Sequence, residues 1–253
     1  MRAMRPSPLL VPACCKLDDG DLRALRDAIY RRSGVLVAPV QVPYAALIPQ
    51  LLEDTRDALA WASSCVASTL VRLRLATPIA AAPRRDGRGR SAVLVGRAPV
   101  EGLGDLRGRR AGWVSKLSAA GYQVPRLYLE SFGVDPAALF ASEQFLGSHA
   151  AAVEALADGS VDVVATHSGR LRELLRRASA RVVASVGPIP ADLVVAGCAV
   201  PPGIRSALGR AMSYVAVGAY DLAPVDVGHL ELFEALHRDP PDARWTPAIL
   251  AGN

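Results

Sequence analysis

Lysine is almost absent from this chain. Only Lys16 and Lys116 are lysines, and the formal net charge of +5 is carried by arginine. Aromatic residues are also scarce, at 5% of the chain, and they do not interleave with the scattered basic residues. Without such interleaving there is no stacking platform for a nucleic acid, and that class of partner is set aside. The densest basic segment, PRRDGRGR with Arg84, Arg85, Arg88 and Arg90, reads as a solvated turn. No apolar run approaches the ~20 residues that cross a bilayer, so membrane insertion is not expected. No long polar or acidic tract occurs and charged residues make up 21%, which excludes a disordered chain. Cysteine is sparse too. Cys14, Cys15, Cys65 and Cys198 form no CxxC pair, and adjacent Cys14 and Cys15 would make only a strained disulfide. Reduced thiols and a cytoplasmic location are therefore expected. At the N-terminus Arg2 and Arg5 precede a short apolar run, Leu9–Val11, but Pro8 and Pro12 interrupt it. The core of an export signal needs ~7–15 apolar residues, so the reading is a retained protein, with export left open.

What the chain does have is an alternation of short β-like runs and amphipathic helical stretches, the pattern of an α/β fold with largely parallel sheets. Strands are expected at Leu9–Cys14, over residues 35–42, at Leu59–Ala62 and at Pro78–Ala82. The last of these is read as the hairpin partner of Ser91–Val95 across PRRDGRGR. Asp18 or Asp19 caps a helix to about Arg31 that Gly34 ends, and Tyr44–Leu52 and Cys65–Leu73 are helical. A second set follows: strands at Arg110–Val114, Gln144–Leu146, Val161–Thr166 and Arg181–Ser185, with helices at Pro125–Ser131, Ser148–Ala157 and Leu171–Arg177. The chain then passes through PIPAD into a strand at Leu193–Val200, a helix over Pro202–Val215 and a last helix near His229–His237.

From Asp105 onward the residues resemble a known family. The run DLRGRR, then Val114, then Ser118-Ala119-Ala120-Gly121-Tyr122-Gln123-Val124-Pro125-Arg126 is similar to a lead-in, strand, hydroxyl-rich turn and "GYlvPr" found in the phosphate/phosphonate/phosphite-binding proteins of ABC transporters. FLGSHAAAVEALADGSVDVVATHS, VGPIPADLVV and VPPGIRSALGRAM resemble later family segments, and VPYAALIPQL and LAWASSCVA earlier ones. The ordered set covers most of the chain. It implies a two-lobed, venus-flytrap fold of the type 2 periplasmic-binding-protein class, with a ligand held between the lobes. Lobe one would be residues 1–97 with 193–253, and lobe two residues 98–192.

The residues offer anion chemistry on their own account. Pro125 is best tolerated in a helix's first turn, which would leave Ser118–Gln123 as a loop with free backbone N–H groups. Ser148 would cap a second helix, and helix N-termini attract anions. The resemblance implies a ligand-binding set of Tyr44, Ser63, Ser118, Ala119, Ala120, Gly121, Tyr122, Ser148, His149, His167 and Asp192. It also implies a difference: the family's phosphonate loop carries a run of hydroxyls, of which only Ser118 remains here. Simple phosphonates and phosphate are therefore expected to be poor ligands. His149, at a helix start, should be neutral. Asp192 suits a ligand amine or is an ordinary turn residue, Tyr44 lines the site or is merely half-buried, and Trp61 reads as core.

Two functions follow. One is a small-molecule binding protein for an anionic or zwitterionic ligand, needing no cofactor or metal, with a transporter or pathway protein as partner. The other is an enzyme on the same fold, as in cytosolic cofactor-independent lyases of the menaquinone pathway and thiamine-pyrimidine synthases. Its catalytic candidates are Cys14, Cys15, Cys65, His149 and His167, since strand ends are where α/β sheets place ligands, and a Cys thiolate with a His base is a nucleophilic pair. The plain alternative is that these thiols only pack.

Overall fold

The computed structural model describes residues 6–53, 57–87 and 89–226. In chain order these form β1 (Ser7–Pro12), α1 (Asp19–Ser33), β2 (Val37–Val42), α2 (Leu47–Glu53), β3 (Leu59–Ala62), α3 (Ser64–Arg72), β4 (Ala76–Ala82) and β5 (Arg90–Arg97). Then come β6 (Arg110–Trp113), α4 (Val124–Ser131), α5 (Pro136–Leu139), β7 (Ser142–Phe145), α6 (His149–Asp158), β8 (Val163–His167), α7 (Leu171–Arg177) and β9 (Ala180–Ile189). The rest are β10 (Asp192–Gly197), α8 (Pro202–Met212), β11 (Ala216–Val217) and β12 (Tyr220–Asp221). The helix expected near His229–His237 lies outside the described residues.

The chain divides into two compact units. Of the described residues, 6–53, 57–87 and 191–226 form the first, and Gly89–Pro190 the second. The first unit holds a five-stranded sheet in the order β2-β1-β3-β10-β4. Strands β1, β2 and β3 are parallel, and β10 runs antiparallel to both β3 and β4. Helix α1 starts where the sequence says it should. The Asp18 carboxylate accepts from Asp21 N at 2.8 Å while Asp21 reaches back to Asp18 N, a reciprocal cap, and Gly34 ends the helix at φ 69°. Leu22, Leu25 and Ile29 on its inner face pack with Leu9, Val11, Trp61 and Met212 in one apolar cluster. Each such side chain removed from water stabilises the unit by ~1.5–3 kcal/mol. Trp61 is fully buried, edge-on to Tyr220 at 5.0 Å, as the core reading of this residue expected.

The second unit holds the sheet β7-β6-β8-β5-β9. Alternate residues of β5 face opposite sides: Leu94 packs with Trp113, Leu129 and Phe140, while Val93 and Val95 pack with Val153, Leu156 and Leu174. Helices cover both faces, which is why the run Ala92–Val95 is apolar without alternation. Three expectations are corrected. First, β4 and β5 are not a hairpin: β4 pairs with β10, and β5 pairs antiparallel with β8 and β9, so β5 belongs to the second unit rather than to residues 1–97. Second, the sheets are mixed, because β5 runs against β8 and β9 in one and β10 against β3 and β4 in the other. Third, Ser118–Gln123 is not an open loop. Residues 119–123 form a wide helical turn in which Val124 N reaches Ala119 O, leading directly into α4. A wide turn just ahead of Pro125 accommodates a residue that brings no N–H and crowds the preceding turn.

Candidate functional site

In the second unit β6, β7 and β8 are parallel, so their carboxyl ends lie at one end of the sheet. The segments that leave these ends carry the expected residues. After β6, Ser118 Oγ accepts from Gly121 N at 3.0 Å, and Val114 N donates to Gly121 O at 3.1 Å, folding the turn back over the strand end. Ala119 and Ala120 are the first residues of that turn, and opening amides of a helix have no intrahelical acceptor. After β7, Gly147 N donates to Val114 O at 2.9 Å, so the segment leading to Ser148 lies beside the β6 end. Ser148 Oγ accepts from Ala151 N at 3.1 Å and caps α6. After β8, His167 and Ser168 stand at the strand's end, and Ser168 Oγ accepts from Ser91 N at 3.2 Å. Ser118, Ala119, Ala120, Gly121, Ser148, His149 and His167 are thus gathered at one end of one sheet.

His149 is held from two sides. Its Nδ1 shares a hydrogen bond of 2.8 Å with the fully buried Thr166 Oγ1, and its ring meets that of His167 edge-on, centroids 4.6 Å apart. Burial depresses its pKa, and the positive charges of Arg90 and Arg170 depress it further, to about 4. The imidazole is neutral, as the sequence suggested. The causes found are burial and two guanidiniums. A neutral imidazole both donates and accepts, while the charge beside it is supplied by Arg90 and Arg170.

Tyr122 has a supporting task. Its ring packs edge-on against Trp113 at 5.6 Å and Phe145 at 5.2 Å, with the Arg126 guanidinium 5.1 Å over its centroid. Arg126 pairs with Glu143, which also accepts from Trp113 Nε1 at 2.6 Å. This network ties β6, β7 and α4 together beneath the turn and fixes where its amides lie.

In the first unit the parallel strands β1, β2 and β3 end near the start of the antiparallel β10. Tyr44 OH and Ser63 Oγ are 2.9 Å apart, and Ser63 also caps α3. Loss of water, and then the nearby Cys65, Asp192 and Cys14, push the Tyr44 phenol well above its usual range, while the Ser63 hydrogen bond pulls the other way. Tyr44, Ser63, Asp192, Cys14 and Cys65 therefore form a group of their own. Cys14 is exposed in a single turn after β1, whereas Cys15 is buried in the apolar cluster of α1. Cys65 is fully buried in the first turn of α3, and burial pushes its thiol up to about 12. Among the described residues the cysteines belong to one unit and the histidines, His149 and His167, to the other, so neither unit shows a Cys–His pair by itself. Among the described residues no cluster of three or more His, Cys, Asp or Glu side chains could hold a metal ion.

A labelling difference follows from this. At pH 7.5 iodoacetamide should modify Cys14 and Cys198 readily. In the folded chain Cys15 and Cys65 should be protected, Cys65 by about a thousand-fold in line with its thiolate fraction, and both should react at ordinary rates once the chain unfolds. Intact-mass spectrometry against time is the measurement, and rapid native labelling of Cys65 would contradict its protonated, buried state.

Three polar residues of the second unit's site were not anticipated. Thr166 precedes His167 and fixes His149. Ser115 has a buried Oγ with no hydrogen-bond partner among the described residues. Arg90 was read as part of a solvated turn; it begins β5, and because Ala92 lies opposite His167, Arg90 extends past the carboxyl end of β8. The available signal was the pattern Arg-Ser before AVLV, which suits a strand start as well as a turn.

The family model of the periplasmic, phosphonate substrate-binding proteins of ABC transporters matches residues 21–237. Among solved structures, a Xanthomonas citri protein bound to ATP is similar, with a TM-score of 0.75 at 18% identity over 92% of this chain and 96% of that one. PhnD1 from Prochlorococcus marinus in complex with methylphosphonate has a TM-score of 0.69 at 16% identity, covering 92% and 97%. The alkanesulfonate-binding protein SsuA from Xanthomonas axonopodis pv. citri bound to MOPS has a TM-score of 0.59 at 14% identity, covering 92% of each. A search of curated proteins finds no match. At these identities the likenesses establish the fold, which is that of the type 2 periplasmic binding proteins.

Proposed function

Since this chain belongs to the phosphonate-type substrate-binding family of ABC transporters, we propose that it binds a small, singly charged organic anion or zwitterion, and not a simple phosphonate, for delivery to such a transporter. One observation carries this reading. The Ser148-capped start of α6, the turn at Ala119 and Ala120, and a neutral His149 flanked by Arg90 and Arg170 share one end of the second unit's sheet. Donors and positive charge concentrated in this way favour an oxyanion. Methyl side chains at Ala119 and Ala120 leave the turn with backbone donors only, which suits one negative charge better than two. The family is described as periplasmic, and the expectation of cytoplasmic retention fits it poorly. No helix among the described residues is long and apolar enough to cross a membrane.

Calorimetric titration with methanesulfonate, taurine, methylphosphonate and inorganic phosphate tests the reading. Either sulfonate should bind in the micromolar range, and methylphosphonate and phosphate at least about ten-fold more weakly, the worth of one charged hydrogen bond. Micromolar methylphosphonate with no sulfonate binding would reverse the assignment.

A further inference from the structure

Arg90 is set apart from Arg170, the other guanidinium beside His149, by what it does not hold. Arg170 is committed to Glu173 at 2.8 Å. Arg90 forms no ion pair with a carboxylate among the described residues, although it is partly buried where β5 passes the end of β8. Its backbone is fixed on both sides. It is paired with Ile189 of β9, and the next residue, Ser91, donates to Ser168 Oγ at 3.2 Å. A guanidinium presented by a sheet strand is better oriented than one on a loop, and its planar fork matches two oxygens of an oxyanion at once. Building on the anion reading above, we infer that Arg90 is the ionic partner of the ligand's anionic head and a determinant of specificity. It supplies the charge and paired donors that Ala119 and Ala120 side chains do not.

The role of Arg90 separates from that of the turn amides. Amides at helix starts give partial charge and fixed direction; Arg90 gives a full charge. The ligand class is therefore one whose head carries a permanent negative charge and offers two coplanar acceptors, as a sulfonate does. The electrostatic influence of Arg90 on His149 agrees with a guanidinium facing the same space.

The experiment compares wild type, Arg90→Gln and Arg90→Lys in titrations with methanesulfonate and taurine. It also follows the His149 imidazole by NMR against pH without ligand. R90Q should weaken both anions about ten-fold or more and flatten the salt dependence of binding, and R90K should recover part of the loss. In R90Q the His149 titration should move upward, a change that does not depend on any ligand. Wild type and R90Q binding alike, with His149 unmoved, would overturn the role of Arg90 while leaving the anion reading intact. A wild-type protein that binds neither anion would remove that reading, and this inference with it.

Discussion

Replacing Gly121 by alanine is expected to destabilise the second unit by about 3 kcal/mol and to abolish ligand binding at concentrations that saturate the wild type. A Cβ at this position would lie 2.4 Å from Val114 Cγ2, 2.5 Å from Val114 Cβ and 2.8 Å from Ser118 Oγ. None of these is the tip of a flexible side chain. Val114 is β-branched and buried, and its N–H is bonded to Gly121 O, so side chain and backbone oppose the same displacement. Ser118 Oγ is fixed by Gly121 N. Relief must come from moving the turn away from β6, which carries the Ala119 and Ala120 amides with it. Thermal unfolding should show a fall of roughly 6–12 °C for a chain of this size. Val114→Gly is the informative second change. It removes both carbons met by the new methyl group, so Gly121→Ala should cost less in that background than in the wild type. Equal costs in the two backgrounds would show that the close approach to Val114 is not what requires glycine.

The same region shows which features were legible in the sequence. Local chemistry was read well where a few neighbouring residues decide the outcome. Asp18 with Asp21 and Gly34 bracket α1, Ser148 and Gly159 bracket α6, and Leu171–Arg177 and Leu59–Ala62 have the limits expected. Long-range pairing was not legible. Nothing within PRRDGRGR says that the strand after it pairs with β8 and β9, some seventy or more residues away by register, and not with the strand before it. A short Gly-containing connection resembles a hairpin, and that likeness misplaced Arg90 as a solvated turn residue. Pro125 misled in a similar way. It is compatible with a helix start, yet the helical turn begins earlier because widening the backbone accommodates the ring. For the candidate site, the sequence identified the residues at the ends of β6, β7 and β8. It could not show that His149 rests on Thr166, because seventeen residues separate them and only the fold brings α6 against β8.

Acid should weaken the protein in a window set by His149. In the folded chain its pKa is about 4, lowered first by burial and then by Arg90 and Arg170, against an ordinary value of 6.5. A depressed pKa means that the unfolded chain takes up the proton first as pH falls. The stabilisation is complete above pH 6.5 and is lost progressively as pH falls through 4, amounting to about 3 kcal/mol. Asp105, Asp158 and Asp162 are also held below the usual carboxylate range by hydrogen bonds, but their losses begin lower, as pH falls past about 4. Urea unfolding of wild type and His149→Gln at steps from pH 7 to pH 4 isolates the imidazole, since glutamine can still bond Thr166 but does not titrate. The wild type should lose about 3 kcal/mol more than the variant across that range, and parallel losses would remove His149 as the cause. Bound methanesulfonate should shrink the difference, because an anion beside Arg90 offsets the charge that keeps the imidazole unprotonated. Binding should therefore take up protons near pH 5 and none near pH 8, as calorimetry in buffers of different ionisation enthalpy would detect. On the proposed reading the site draws its charge from arginine and its directionality from an uncharged imidazole at neutral pH, so the grip on a permanently charged ligand stays constant from pH 7 to pH 8 and changes only where His149 begins to titrate.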